Sequence, residues 1–221
     1  MSGNLYGNLM MHNKFDFEKV EDFDNHINLS IPNYDGLYDI FRAVALEYMP
    51  PQGRCIDIGC STGKFLNDLS AVTDGQYVGI DVVEMKSEKN FIFLNEDVIE
   101  ALFDFDSADL IISMFTLQFL GKYKRNQVLK KMKLMIDNGA TLLLAEKVFS
   151  DTAKLNSIMT KEHYNQKRKH FTDTEILDKD YSLIGKMFCL TNAEINEELK
   201  FLGHADQVWQ SYNFRGWVIR R

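Results

Sequence analysis

The chain has 221 residues, 45% of them hydrophobic and 26% charged, which suits one large α/β domain and excludes a disordered or collagen-like chain. Its formal net charge of −7 is divided unevenly, since residues 1–120 carry 20 acidic and seven basic side chains and residues 121–221 carry 12 and 18. The acidic balance excludes loose binding of nucleic acid over the whole surface, because such binding relies on many lysine and arginine contacts to phosphates.

Residues 1–50 are predicted to form an arm and a helix that cover a ligand site in residues 51–221, the two parts making one structural unit. The beginning of the chain is polar with scattered aromatic residues. Residues 36–48 place apolar side chains at helical spacing and therefore predict a helix. Pro50, Pro51 and Gly53 then break the chain.

After this break, short apolar runs alternate with helical stretches. The predicted strands are 55–58, 77–80, 91–94, 108–115 and 141–145, and the predicted helices are 64–72 and 123–136. Near-continuous apolar strands alternating with helices indicate a parallel sheet covered on both faces. Two further strand-like runs, 206–212 and 216–219, predict an antiparallel hairpin that turns at residues 213–215. The predicted fold is a doubly wound α/β fold, Rossmann-like, with a mostly parallel seven-stranded sheet.

The connection between the second and third predicted strands is short. Residues 82–90 are nine residues, whereas a crossover between parallel strands usually needs a dozen or more. The sequence therefore predicts at most about one helical turn there.

Cysteine usage and hydropathy indicate a cytoplasmic protein. Cys55, Cys60 and Cys189 are too few for a disulfide framework, and no His/Cys cluster has metal-ligand spacing. The N-terminal residues lack the basic-then-apolar pattern of a signal peptide. The longest apolar run, 110–120, is too short to span a bilayer. We expect no metal and no membrane segment.

Three basic runs, 122–125, 130–133 and 167–169, stand in the second half of the chain. One local nucleic-acid patch is one interpretation of them. The favoured interpretation is that they form the solvated faces of helices.

The most informative motif is Asp57-Ile-Gly59-Cys-Ser61-Thr-Gly63 at the first strand–helix junction. Glycine permits positive φ and close approach of a ligand to the backbone. A dinucleotide site would need G-x-G-x-x-G. Because Ser61 replaces the second glycine, the loop suits a nucleoside without a pyrophosphate.

Two carboxylates follow at the ends of the next strands. Asp81 lies 22 residues after Gly59 and is predicted to accept hydrogen bonds from paired ribose hydroxyls. Asp97 is predicted to accept from an adenine amino group while the Val98 N–H donates to the ring. The alternative is that both aspartates are ordinary caps at strand ends.

These features resemble the class I S-adenosylmethionine-dependent methyltransferases, and most closely the carboxy-S-adenosylmethionine synthases of bacterial tRNA wobble-uridine modification. The resemblance extends from about Phe15 to the C-terminus. The segments that carry it are 30–34 (SIPNY), 57–61 (DIGCS), 115–120 (FTLQFL), 146–147 (EK) with Phe149 and Ser150, 190–191 (LT) and 209–214 (WQSYNF).

The resemblance implies that the bound small molecule is S-adenosylmethionine, S-adenosylhomocysteine or the carboxylated cofactor, and it suggests a homodimer. It implies that Tyr34 closes over the cofactor and that the glycine loop holds its methionine end. The cofactor-binding residues it implies are Tyr34, Asp57, Gly59, Cys60, Ser61, Gly63, Asp81, Val82, Asp97, Val98 and Met114. The substrate-binding residues it implies are Lys179 and Tyr181. For Gln118, a buried amide bonded to backbone is favoured over a catalytic role.

Two positions depart from the family's pattern. Met114 replaces an asparagine and cannot make the same hydrogen bonds. Lys179-Asp180-Tyr181 stands where the family has a lysine followed by an arginine that holds an extra carboxylate, and no other side chain gives the bidentate fork of arginine. Lys179 or Arg168 could substitute.

Three functions follow from the sequence. The leading hypothesis is an S-adenosylmethionine-dependent methyltransferase-like enzyme of unknown acceptor, for which no dedicated catalytic base needs to be visible. The alternative is synthesis of carboxy-S-adenosylmethionine from S-adenosylmethionine and prephenate. The third is a non-catalytic cofactor-binding partner subunit.

Overall fold

A computed structural model describes residues 23–84 and 90–221. The helices are α1 Phe23–Ser30, α2 Tyr34–Tyr48, α3 Lys64–Ser70, α4 Val98–Phe103, α5 Lys122–Asp137, α6 Ala153–Lys167, α7 Asp173–Leu183 and α8 Asn192–Leu202. The strands are β1 Arg54–Ile58, β2 Gln76–Ile80, β3 Ile92–Leu94, β4 Leu110–Met114, β5 Thr141–Phe149, β6 Leu190–Thr191, β7 His204–Ser211 and β8 Phe214–Arg220. A 3-10 turn covers Leu117–Phe119.

The strands form one mixed sheet in the order β3-β2-β1-β4-β5-β8-β7. The first five are parallel, and β8 and β7 complete the sheet in antiparallel fashion. This confirms the predicted α/β class. The count differs, because β6 is an eighth strand that pairs with the end of β5 through Val148 and Phe149.

Apolar side chains bury both faces of the sheet. Along β5, Leu142 and Leu144 pack into a cluster that includes residues of α5 and α8. Leu143 and Ala145 point the other way, into a cluster that includes residues of α2 and α3. All four are fully buried. Because both faces of the strand are covered, its sequence is continuously apolar even though successive side chains point to opposite faces.

The predicted helical stripe before the proline break is confirmed. Leu37, Phe41 and Ala45 recur every four residues along α2 and have no exposed surface. They therefore hold α2 flat against the sheet, with Tyr34 at the beginning of the helix beside the end of β1.

The prediction that the basic run 122–125 is a solvated face is wrong for Arg125. Its guanidinium donates to Glu146 over 3.0 Å and to both carboxylate oxygens of Glu198, and its side chain is only 4% exposed. The three residues form a buried ion triad that joins α5, β5 and α8. Among the residues that the structure describes, none forms a hydrogen bond with Glu146 Oε1. Burial, and to a lesser extent Glu198, raises the pKa of this carboxyl, and Arg125 opposes the rise.

Two predicted boundaries are wrong. Strand β5 continues to Phe149, so that Glu146 and Lys147 lie within it rather than after it. The hairpin turns at residues 212–213 rather than 213–215, because Phe214 already pairs with Ser211 and with Lys147.

Some predictions fall on residues outside the described ranges. The arm before residue 23 is one, and most of the link between β2 and β3, at residues 85–89, is the other. Within the described ranges, no helix is long and apolar enough to cross a membrane, and no group of three His, Cys, Asp or Glu side chains is arranged to hold a metal ion.

Candidate functional site

The glycine loop, residues 59–63, lies at the carboxyl end of β1. Gly59, Ser61 and Gly63 all have positive φ, at 76°, 52° and 75°. A Cβ at Gly59 would lie 2.1 Å from the Thr116 hydroxyl, and one at Gly63 would lie 2.2 Å from the Phe91 ring. The loop therefore depends on glycine both for its backbone turn and for the close approach of its neighbours.

Asp81 joins the glycine loop to the end of β2. One carboxylate oxygen accepts a hydrogen bond from the Ser61 N–H and the other accepts from the Val83 N–H, each over 2.9 Å. Burial raises the pKa of Asp81, and these backbone donors oppose the rise. The carboxylate predicted to face a ribose is thus fixed in orientation by the loop itself. Val82 beside it is 67% exposed.

Asp57 is the most perturbed carboxyl of the site. It is 2% exposed at the end of β1, and burial, followed by the negative charge of Asp81, raises its pKa to about 8. Burial raises the pKa of the Tyr34 phenol, and the negative charge of nearby Asp57 is the second cause. A buried carboxyl and a phenol therefore lie near each other beside the loop, where a cationic ligand would favour the ionised form of the carboxyl.

An aromatic wall follows the end of β4. Phe115 has a φ of 59°, a conformation that bulky residues rarely adopt and that marks strained positions. Its ring lies between Tyr34, at 6.3 Å between centroids, and Phe214, at 5.7 Å. Met114 is partly buried and packs at the same cluster, and Cys60 is buried in it.

Asp97 lies between β3 and α4, and both of its carboxylate oxygens already have partners within the protein. Its Oδ1 caps α4 by accepting from the Ile99 N–H over 3.1 Å, and its Oδ2 lies 2.5 Å from Lys124 Nζ. The hydrogen bond from Lys124 lowers the pKa of Asp97. Val98 is buried at the first position of α4. The sequence suggested capping as the alternative to adenine binding, and the cap is present.

Helix α1 crosses the site from the glycine loop to α7. At its start, Asp24 accepts a hydrogen bond from the Thr62 hydroxyl over 2.9 Å. Lys179 Nζ lies 2.6 Å from Nε2 of His26, in the middle of the helix, and 3.2 Å from Oγ of Ser30 at its end. Burial and nearby lysines lower the pKa of His26 to about 4, so its imidazole is neutral at pH 7.

The two predicted substrate residues are placed differently. Lys179 is partly buried against α1, and burial together with Lys167 lowers its pKa to about 7. Tyr181 is 66% exposed, so the structure does not bring it to the same place. Asp180 accepts a hydrogen bond from the Tyr164 hydroxyl and lies 4.0 Å from Lys167 Nζ.

Several residues around the site escaped the sequence analysis. His163 of α6 is buried and its Nε2 lies 2.9 Å from the Ser30 carbonyl oxygen. Lys167, read as part of a solvated run, is 5% exposed. His163 and Lys167 lie about one turn apart on a helix whose sequence has no clear apolar stripe, so only their tertiary partners distinguish them from exposed residues. The amide of Gln118 accepts from the Lys147 N–H over 2.9 Å, as the favoured interpretation predicted.

Comparison with known proteins gives a consistent family. The family model described as "Methyltransferase domain" matches residues 33–179. The carboxy-S-adenosyl-L-methionine synthase of Nautilia profundicola is 30% identical over 219 residues, which cover 93% of each chain. The synthase of the same name from Desulfotalea psychrophila is 27% identical over 223 residues, covering 93% of this chain and 90% of its own.

Solved structures agree on the fold. A SAM dependent methyltransferase from Archaeoglobus fulgidus superposes with a TM-score of 0.50 at 11% identity, over 83% of this chain and 94% of that one. At this identity the likeness concerns the fold alone.

Proposed function

Because this chain belongs to the methyltransferase-domain family, we propose that it is an S-adenosylmethionine-dependent transferase, divergent from the carboxy-S-adenosyl-L-methionine synthases. The observation that carries the proposal is the junction of β1 and β2, where Asp81 fixes the glycine loop through Ser61 and Asp57 lies buried beside it. The ligand is S-adenosylmethionine or a derivative.

The residues present fit such a ligand. At Gly59 and Gly63 the space that a Cβ would occupy is taken by Thr116 and Phe91, so glycine lets these neighbours pack against the loop while its backbone turns with positive φ. The donor set suits a molecule with a cationic end and hydroxyl groups, since Asp57 can pair with an ammonium and Asp81 can accept from hydroxyls. The cofactor supplies an electrophilic methyl group on a sulfonium.

We assign the roles of the chain's own residues accordingly. Tyr34, Asp57 and the loop residues Gly59, Cys60, Ser61 and Gly63 hold the methionine end. Asp81 and Val82 hold the ribose. The Phe115 wall, with Met114 and Tyr34, excludes water from the reacting end, which is the protein's main contribution in a transfer reaction governed by positioning.

The adenine end requires one rearrangement. Asp97 and Val98 are assigned to adenine, but Asp97 Oδ2 is paired with Lys124. The side chain of Lys124 is 51% exposed, and an exposed ion pair contributes little to stability because solvent screens it. An adenine amino group can therefore displace Lys124 at low cost.

Carboxy-S-adenosylmethionine synthesis for tRNA modification is the second candidate. Two observations favour it: the relatives of that name cover 93% of this chain, and Lys179 lies in a cluster with Lys167 where a carboxylate could be held. Against it stands the missing arginine, because an ammonium holds a carboxylate with less direction than a guanidinium.

Mass spectrometry distinguishes these functions. The nucleoside that co-purifies with the protein should be S-adenosylmethionine or S-adenosylhomocysteine under the leading proposal and the carboxylated form under the second. Incubation with S-adenosylmethionine and prephenate should yield little carboxylated product. Turnover that Lys179→Ala abolishes would establish the second function instead, and binding without any transfer would indicate a partner subunit.

A homodimer in the cytoplasm completes the proposal. Helix α7 and the segment after it expose Leu177, Tyr181, Ile184 and Phe188, each at least 47% accessible. Clustered exposed apolar side chains often mark contact surfaces. Sedimentation of wild type and of Ile184→Glu would test this, since the variant should shift the protein to monomer.

A further inference from the structure

Strand β7 contains a bulge that changes which face of the sheet its later side chains occupy. Gln207 pairs with Trp217 of β8. The next pair in the hairpin joins Trp209 to Gly216, so that Val208 is an extra residue in β7. Side chains of a regular strand alternate between faces, which would direct Trp209 to the same face as Gln207. Trp209 instead packs in the cluster that includes residues of α2, on the opposite face from Trp217. Bulges commonly redirect a side chain in this way next to a functional site.

The indole of Trp209 contacts the beginning of α2. Trp209 is 6% exposed, and its Nε1–H donates a hydrogen bond to the Asn33 carbonyl oxygen over 3.2 Å. The same oxygen accepts from the Leu37 N–H over 3.4 Å, in the first turn of the helix. This carbonyl belongs to the peptide group that joins Asn33 to Tyr34. Because a peptide group is planar and rigid, a hydrogen bond that holds its oxygen also restricts the direction in which α2 begins at Tyr34.

The turn at Asn33 depends on such contacts. Its φ of 60° and ψ of 34° lie in the left-handed region, which costs energy for residues other than glycine. Within the described part of the chain, the Asn33 side chain makes no capping hydrogen bond to α2. It lies against Gly36, where a Cβ would come within 2.8 Å of Asn33 Oδ1. Trp209 therefore supplies a hydrogen bond to this turn that the Asn33 side chain does not.

The hairpin of β7 and β8 also supports the other neighbours of Tyr34. A Cβ at Gly216 of β8 would lie 2.6 Å from Leu37 Cδ1, so glycine permits α2 to pack closely on the hairpin. The Phe214 ring packs edge-on against Phe115 at 5.7 Å between centroids, and Phe115 in turn lies beside Tyr34. The hairpin thus supports both the helix that carries Tyr34 and the ring next to it.

We propose that Trp209 is a positioning residue of the cofactor site, which holds the Tyr34 side chain over the methionine end of the cofactor by fixing the Asn33 carbonyl. The proposal rests on the proposed function, because it takes Tyr34 as a residue that contacts the cofactor. Trp209 acts through the start of α2 and makes no contact with the cofactor itself. The bulge in β7 is required, since it brings the indole to the face of the sheet on which α2 lies.

Calorimetric titration with S-adenosylhomocysteine tests this role. Trp209→Phe keeps an aromatic ring but lacks the indole N–H, and it should raise the dissociation constant about threefold or more, the scale of one lost hydrogen bond. Trp217→Phe is the matched control, because Trp217 is 3% exposed on the neighbouring strand but packs on the opposite face. This control should bind as wild type does. Equal weakening by the two substitutions would overturn the proposal, since loss of a buried indole anywhere in the hairpin would then suffice.

A double-mutant cycle separates positioning from a general loss of structure. Tyr34→Leu removes the phenol. In that background, Trp209→Phe should leave the dissociation constant unchanged, because the side chain that Trp209 positions is absent. Weakening by the same factor in both backgrounds would overturn the proposal, because Trp209 would then act independently of Tyr34.

Gly216→Ala gives an independent variant if Trp209→Phe folds poorly. Its methyl group would displace Leu37, and with it the start of α2, while the indole N–H remains. Binding of S-adenosylhomocysteine should weaken when Tyr34 is present and should not weaken further with Tyr34→Leu. Weakening that persists with Tyr34→Leu would show that the hairpin does not act through Tyr34 and would overturn the proposal.

The two proposals fail differently. Absence of S-adenosylhomocysteine binding to the wild-type protein would overturn the proposed function. Binding to the wild-type protein that Trp209→Phe does not weaken would overturn this inference alone.

Discussion

Cofactor binding should be linked to a proton at Asp57. The side chain is 2% exposed and its pKa is raised to about 8 by burial and by Asp81. At pH 7 a carboxyl with that pKa is about 90% protonated. An ammonium placed beside it favours the ionised form, so binding should expel the proton.

The size of the effect follows from the pKa. Below pH 8, each unit of acidity should cost about 1.4 kcal/mol of binding free energy, or about tenfold in affinity, because the proton must be removed first. Affinity for S-adenosylhomocysteine should therefore rise by about 50-fold from pH 6 to pH 8, because the ionised fraction of a carboxyl with a pKa of about 8 rises from about 1% to about 50%. At pH 7 about 0.9 proton should leave Asp57 per molecule bound.

Calorimetry in buffers of different ionisation enthalpy counts that proton. The Asp57→Asn variant has no carboxyl to ionise at this position. The number of protons that wild type releases per molecule bound, minus the number that this variant releases, therefore excludes any titration of the ligand itself and should equal about one. Asp68→Asn, a carboxylate in a surface pair with Lys64, is the control and should match wild type. Equal proton counts in wild type and Asp57→Asn, with the same pH dependence of affinity, would refute the reasoning.

Three further changes test other parts of the structure. Asp81→Ala should weaken S-adenosylhomocysteine binding by roughly 1–3 kcal/mol, because charge-assisted hydrogen bonds are lost; calorimetry giving equal affinities would remove Asp81 from the site. Arg125→Ala should lower the free energy of unfolding in urea by about 3–5 kcal/mol, since two carboxylates lose their buried partner, and a loss below 1 kcal/mol would contradict the triad's burial. Gly63→Ala should lower the free energy of unfolding by about 1 kcal/mol or more. The control is Gly121→Ala, at a position with φ −60° and open space around it, which should change stability by about 0.5 kcal/mol or less. Equal effects of the two substitutions would show that the Phe91 contact does not constrain the loop.

Much of the sheet could be predicted because local pattern and tertiary environment agree there. Apolar runs become buried parallel strands, and the stripe in α2 becomes a buried face. Position along the strands also predicted Asp81 at the same edge of the sheet as the glycine loop, since parallel strands end at one edge. The contact between Ser61 and Asp81 follows from that edge.

Other features depend on partners distant in the chain. Helix α1 has little apolar periodicity, and its contacts come from residues such as His163, 133 positions away from Ser30. Arg125 looks like a solvated charge until Glu198, 73 positions later, is placed beside it. A charged residue in a basic run carries no local signal that distinguishes a buried ion from an exposed one, so these assignments required the structure.

The ion triad also bears on how this chain can vary over time. Losing Arg125 leaves two carboxylates without their buried cation, whereas losing either glutamate still leaves an ion pair, and replacing all three residues by packed apolar side chains can be neutral or stabilising. Sequences that lose the arginine first therefore cross a barrier that neither end state shows. Among close relatives of this protein, the arginine should be lost only together with, or after, both glutamates, even though 73 residues separate Arg125 from Glu198.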